Sequence, residues 1–188
     1  MASIEWQTAL GYAEDSAYSA RKPILFYYFD PQCIGCQQMD AATYSSDTVI
    51  RFVEKHLIPL RVDIEKKSSY ERYSAIWTPT LIILDYKGHE AHRSIGFLNP
   101  DQFIAAMHLG IAKTHFSVGE YDTAKVHFEK IFNHFPKENV VPEAIFFSGV
   151  SRYKHKNDPA ELKKAYEKLL HQFPDSSWTN KASPFRLL

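Results

Sequence analysis

Pro23-Ile24-Leu25-Phe26-Tyr27-Tyr28-Phe29, then Asp30-Pro31-Gln32, then Cys33-Ile34-Gly35-Cys36: this stretch decides the reading of the chain. The apolar and aromatic run reads as a buried strand, and a helical stretch leads away from Gln37. Between them lie the only two cysteines of the protein, three residues apart. A helix start favours a thiolate, because unpaired backbone N–H groups and the positive end of the helix dipole face the first sulfur and lower its pKa. The second sulfur, one turn on, is placed to attack a mixed disulfide formed by the first. Two such cysteines suffice for reversible two-electron exchange.

Around this stretch, composition narrows the class. The chain has 188 residues, 45% hydrophobic and 14% aromatic, enough for a real core and against disorder. Its formal net charge is zero, with 10 Lys and Arg against 13 Asp and Glu through Gly110, and 12 against 9 from Ile111. That lean is too small to imply a nucleic-acid partner. Met1-Ala2-Ser3-Ile4-Glu5-Trp6 shows no basic segment followed by an apolar one, and no run reaches membrane-spanning length, so no membrane partner is expected. The expected address is cytoplasmic, where an isolated C-x-x-C reads as redox-active before it reads as a structural staple.

Working outward, Trp6, Leu10, Ala13 and Ala17 fall at helical spacing and predict a first helix ending near Arg21-Lys22-Pro23. Asp47 is the expected cap of a helix carrying Val49, Ile50, Phe52 and Val53. Leu57 to Asp63 reads as a strand and Ser69 to Tyr73 as a short helix. Thr80-Leu81-Ile82-Ile83-Leu84 turns at Asp85-Tyr86-Lys87-Gly88 into a partner strand from about Ala91 to Ile95. Asn99-Pro100-Asp101-Gln102 carries the signature of a capped helix start. The order αβαβαββα predicts a small central sheet covered on both faces.

From Ile111 no strand signal appears, and a repeat does. Ala124 to Pro136 aligns without gaps on Leu162 to Pro174, with Lys, Glu, Lys, Phe and Pro coinciding at an offset of 38 residues. Periods of this size mark helical solenoids.

These residues resemble two families. Residues 1–109 resemble a thioredoxin domain with an extra N-terminal helix, on the C-x-x-C after its strand, Val62-Asp63 ending the next strand, Thr78-Pro79-Thr80 before the hairpin, and Gly96-Phe97 before the closing helix. The resemblance implies an α/β thioredoxin fold, a cis bond at Thr78–Pro79 beside the cysteines, and a Thr78 backbone available to an extended substrate. The chain departs from that family at Gln32, where tryptophan is usual, at Ile34-Gly35 in place of Gly-Pro, and at Tyr27, where a buried aspartate is usual. A phenol is a poor base near neutral pH. Residues 110–188 resemble tetratricopeptide repeats, on Gly119-Glu120-Tyr121-Asp122-Thr123-Ala124, Phe128 and Pro136, with Gly149, Tyr166 and Pro174 in a looser second copy. That copy carries an insertion at 154–158, and 176–185 is expected to cap it. This resemblance implies an all-α domain that binds a client or partner peptide.

Other side chains admit plainer readings. Zinc needs about four ligands, and the pair His89 and His92 lies at the hairpin, which the thioredoxin resemblance implies is away from the cysteines, so no metal is expected. Trp77 fits two readings, a wall of a substrate groove or a core residue. His108, His115, His127, His134, His155 and His171 show no metal-like spacing and read as surface or packing residues. Phe128, Phe132, Phe135, Phe146 and Phe147 read as repeat core, and Lys163-Lys164 as a solvated face.

The sequence therefore predicts thiol–disulfide exchange on protein disulfides, with Cys33 as nucleophile and Cys36 as resolving thiol. Trp77, Thr78 and Pro79 hold substrate, no bound cofactor is required, and an external thiol reductant recharges the pair. Two alternatives stand beside this. One is a scaffold in which the repeats carry the function, favoured by the missing aspartate and tryptophan. The other is a redox sensor whose disulfide state controls partner binding.

Overall fold

The structure, a computed structural model, describes residues 3–65, 73 and 75–188. The chain packs as two compact units, Met1–Gly110 and Ile111–Leu188. The first unit holds α1 (Leu10–Ala20), β1 (Ile24–Phe29), α2 (Ile34–Gln38), a π-helical turn (Met39–Thr43), α3 (Asp47–His56), β2 (Ile58–Asp63), β3 (Thr80–Leu84) and β4 (Glu90–Ile95). Helix α4 (Pro100–Ser117) begins in the first unit and ends in the second.

The sheet runs β2-β1-β3-β4, with β1 parallel to β2 and antiparallel to β3. As a central strand β1 is covered on both faces, which is why it is apolar at every position rather than at alternate ones. Residues two apart along it share a face. Ile24, Phe26 and Tyr28 pack with Ala13, Ala17, Leu60, Val62, Ile82 and Leu84 on one side. Leu25 and Tyr27 face the other way and are equally buried. At the C-terminal end of β1 the chain turns into the cysteine segment.

Three boundaries differ from the sequence reading. Trp6 is not helical: the chain before α1 is extended, and Gln7 bridges β2, donating to Pro59 O at 2.9 Å and accepting from Arg61 N at 2.9 Å. The cap of α3 is Ser46, with Asp47 the first helical residue. After the second cysteine the helix widens into the π-helical turn before α3 begins. The helix expected at Ser69 to Tyr73 falls, apart from Tyr73, outside the described residues. The capping box at α4 is formed: Gln102 N donates to Asn99 Oδ1 at 2.9 Å and Asn99 N to Gln102 Oε1 at 3.1 Å.

The second unit is all-α, with α5 (Tyr121–His134), α6 (Val141–Lys156), α7 (Ala160–Gln172), α8 (Ser177–Ala182) and a 3-10 turn (Ser183–Leu187). The 38-residue period is structural. Ala124, His127 and Ile131 are buried in α5, and Leu162, Ala165 and Leu169 are buried at the equivalent places in α7. Both helices end on a phenylalanine in the same unusual conformation, Phe135 at φ −128, ψ 50 and Phe173 at φ −141, ψ 57. A proline follows each and prevents the helix from continuing. Phe147 stacks on Phe128 in this core, and Phe146 packs on Trp178 and Phe185 of the terminal segment.

Candidate active site

Asp30 shapes the approach to the cysteines. Its Oδ1 accepts Gln32 N at 2.7 Å and its carbonyl accepts Cys33 N at 3.1 Å, an Asx-type turn that ends β1 and starts a helix within four residues. Gln37 Nε2 closes the turn on Pro31 O at 3.0 Å. Cys33 is the residue that caps α2, with extended backbone at φ −73, ψ 121, and Cys36 lies one turn inside the helix.

The two sulfurs meet different surroundings. Both are free thiols; Cys33 is partly exposed, whereas Cys36 is 1% exposed. Cys33 Sγ donates to Thr78 O at 3.2 Å. Burial alone would raise its pKa, but hydrogen bonding with the Thr78 side chain (not its carbonyl), with the amides of Cys36 and Gly35 and with the Cys36 thiol outweighs this, and its pKa falls below that of an ordinary thiol. Cys36 shifts upward, chiefly through burial, and the neighbouring Cys33 adds to it. The Asp30 backbone and the Tyr27 hydroxyl pull it back in part.

Tyr27 is fully buried, and its hydroxyl has no hydrogen-bond partner of ordinary geometry among the described residues. Desolvation, then the Cys36 sulfur beside it, push the phenol far above its usual range. The position that the sequence reading marked as a missing base therefore holds a phenol that stays protonated and faces Cys36. Rings of Trp6, Tyr44 and Phe29 enclose it at 5.6, 5.1 and 5.7 Å. Arg61 lies over Phe29 at 3.9 Å and forms a two-bond pair with Asp40 at 3.1 and 2.8 Å.

Thr78 and Pro79 are buried and joined by a cis peptide bond. Thr80 Oγ1 donates to Trp77 O at 2.7 Å, and Gly96 N to Pro79 O at 2.8 Å. The π-helical turn holds the neighbouring loop: Leu98 N donates to Met39 Sδ at 3.3 Å and Thr43 Oγ1 to Leu98 O at 2.5 Å. Trp77 is 66% exposed, so the core reading of it fails; Ile76 and Ile34, next in sequence to the loop and to Cys33, are exposed as well. Sequence reasoning missed Asp30, Gly35, Met39 and Thr43. Only Asp30 carried a local signal, in Asp-Pro-Gln ahead of a cysteine.

Among the described residues no three His, Cys, Asp or Glu side chains are grouped to hold a metal ion. His89 pairs with Asp85 at 3.1 Å and His92 lies 3.2 Å from Ser94 Oγ, both within the hairpin. Among the described residues no helix is long and apolar enough to cross a membrane.

A cysteine capping the first helix after β1, a second cysteine behind it, and a cis-proline loop hydrogen-bonded to the outer sulfur define a thioredoxin-class fold and site. The chain belongs to the thioredoxin-like domain family, whose model matches residues 10–111. It is 26% identical over 95 residues to the thiol:disulfide interchange protein DsbD of Yersinia pestis, an alignment covering 47% of this chain and 16% of that protein. The chain thus matches about a sixth of that relative's length. A thioredoxin from Thermus thermophilus superposes with a TM-score of 0.54 at 22% identity, over 63% of this chain and 95% of that one.

Proposed function

We propose that this protein is a thiol–disulfide oxidoreductase acting on protein disulfides. One observation carries the reading: Cys33 is accessible, hydrogen-bonded to Thr78 and biased toward thiolate, with Cys36 buried directly behind it. The Cys33 thiolate attacks one sulfur of a substrate disulfide. A Cys33–substrate disulfide forms, and the substrate's other sulfur leaves as a thiolate that takes up a proton. Cys36 then loses its proton and attacks Cys33 Sγ. The second substrate sulfur leaves, and Cys33–Cys36 becomes the disulfide. Two electrons have passed to the substrate, and an external thiol reductant restores the pair.

Thr78 and Trp77 are assigned to substrate. When Cys33 deprotonates, its hydrogen bond to Thr78 O is given up, and that carbonyl becomes free to accept from an extended substrate backbone. Exposed Trp77 and Ile34 offer apolar contact beside the sulfur, and Pro79 holds the loop. Tyr27 takes a different part from the aspartate of the family pattern: as a hydrogen-bond donor it stabilises Cys36 as a thiolate at the moment of resolution.

In the same proposal, 1–109 is the exchange domain and 110–188 a tetratricopeptide-like domain that binds a client or partner peptide. The 38-residue period and the matching ends of α5 and α7 support that second assignment. A cytoplasmic address belongs to the proposal too, and fractionation checks it.

The test is dithiothreitol-driven insulin reduction by the purified chain. Wild type is expected to be active, Cys33→Ser inactive, and Cys36→Ser to accumulate a mixed disulfide visible on a non-reducing gel. Activity surviving Cys33→Ser overturns the mechanism.

A further inference from the structure

Between α5, α6 and α7 of the second unit lies a cavity of about 120 Å³, lined by Phe132, Ser148, Arg152, Glu161, Lys164 and Lys168 among others. Around 10–15 Å³ of such space already holds a water, so a polyatomic ion fits. Two carboxylates here face four cations. Arg152 Nη2 donates to Glu129 Oε1 at 2.5 Å, and its Nη1 lies 3.7 Å from Glu161 Oε2. Lys156 and Lys164 reach Glu161 Oε1 at 3.1 and 3.3 Å. Glu161 is 5% exposed and is held ionised by these lysines against the upward push of burial.

Lys168 is left over. Among the described residues no carboxylate lies within 4.0 Å of its ammonium, which sits 3.7 Å from the centre of the Phe132 ring. Desolvation and the charge of Arg152 both disfavour its protonated form, and Glu129 only partly offsets them. Ser148 is 3% exposed, and its hydroxyl has no hydrogen-bond partner among the described residues. A buried unpaired hydroxyl and a partly desolvated cation with no carboxylate in ion-pair contact are both unfavourable, and both residues line the same cavity.

We propose that this cavity binds a compact oxyanion of the phosphate class. Lys168, Lys164 and Arg152 supply the charge, and Ser148 donates its hydroxyl. Glu161 sets the choice among oxyanions. Its carboxylate borders the same cavity and accepts hydrogen bonds only, so it favours an anion that still carries an O–H. Phosphate near neutral pH retains one, and sulfate does not. The site lies wholly in the second unit and does not depend on the cysteine chemistry.

The experiment is calorimetric titration of the full chain with inorganic phosphate and, separately, with sulfate at low ionic strength. Saturable one-site binding of phosphate is expected, with sulfate weaker by about tenfold or more, the scale of a lost charge-assisted hydrogen bond. Lys168→Gln and Ser148→Ala should each weaken phosphate by about tenfold on the same basis, whereas Lys137→Gln, at an exposed position outside the cavity lining, should leave it unchanged. Circular dichroism checks the fold of each variant, and if Lys168→Gln unfolds, Ser148→Ala carries the comparison. Lack of saturable binding, equal affinity for phosphate and sulfate, or affinity unmoved by the cavity substitutions overturns the assignment.

Discussion

Gly35 and Pro79 touch across the site: a Cβ on Gly35 would lie 2.9 Å from Pro79 Cδ and 3.7 Å from Cys33 Sγ. The second of the two residues between the cysteines is therefore small because the proline ring occupies the space that a side chain needs. Gly35→Ala should fold but displace the Pro79 ring, at an overpacking cost of about 1–3 kcal/mol. With that strain placed on the reacting geometry, kcat/KM in insulin reduction is expected to fall by about tenfold, the equivalent of about 1.4 kcal/mol in the barrier. A rate equal to wild type would show that the Gly35–Pro79 contact is not needed for exchange.

The sulfurs should also differ in pH profile. Cys33 has its pKa lowered by hydrogen bonding that outweighs burial, and Cys36 has its pKa raised chiefly by burial. Alkylation by iodoacetamide, followed site by site by mass spectrometry, should reach its plateau at lower pH for Cys33 in the folded chain than in urea. In the folded chain Cys36 should stay slow across the pH range. Matching profiles for Cys33 in the two states would remove the thiolate bias.

Tyr27→Phe deletes the hydroxyl that faces Cys36 and lowers its pKa. Resolution should slow while the first attack does not, so the mixed disulfide should persist longer in stopped samples. Stability should change little, by about 1 kcal/mol or less, because the hydroxyl has no ordinary hydrogen bond to lose. Unchanged resolution would confine Tyr27 to packing.

Asp85 links stability to pH. Burial pushes its carboxyl up, but the amides of His89 and Lys87, at 2.9 and 2.8 Å, and the His89 ring outweigh burial and hold it below the ordinary range. A depressed folded pKa adds stability above the unfolded carboxylate pKa, and that stability is lost as pH falls through the folded value. Asp85→Asn should cost about 1–3 kcal/mol near neutral pH and flatten the acid limb of urea-melting curves. An acid limb identical to wild type would refute the linkage.

What the sequence made legible follows from how local each signal is. The strand into Cys33, the hairpin around Gly88 and the capping box at Asn99 are each written within a few consecutive residues. Trp6 was misread because its spacing to Leu10 matches a helix. Its segment is instead extended because Gln7 pairs with β2 more than fifty residues away, and no local periodicity carries that. Of the candidate site, the two sulfurs and the cis Thr78–Pro79 bond were legible as features. The contact of Gly35 with Pro79, the hold of Met39 and Thr43 on Leu98, and the phenol of Tyr27 against Cys36 arise only when distant segments meet. The cavity beside Lys168 is of the same kind, drawing on three helices.

The unequal burial of the two sulfurs also governs what happens under oxidative attack. A peroxide arriving from solvent should reach Cys33 and convert it to a sulfenic acid, while Cys36, at 1% exposure, is shielded from it. The hidden thiol should then condense with that sulfenic acid, expelling water and leaving a disulfide that a thiol reductant can reopen. Shelter for one sulfur would thereby guard its neighbour against the irreversible rungs of the oxidation ladder.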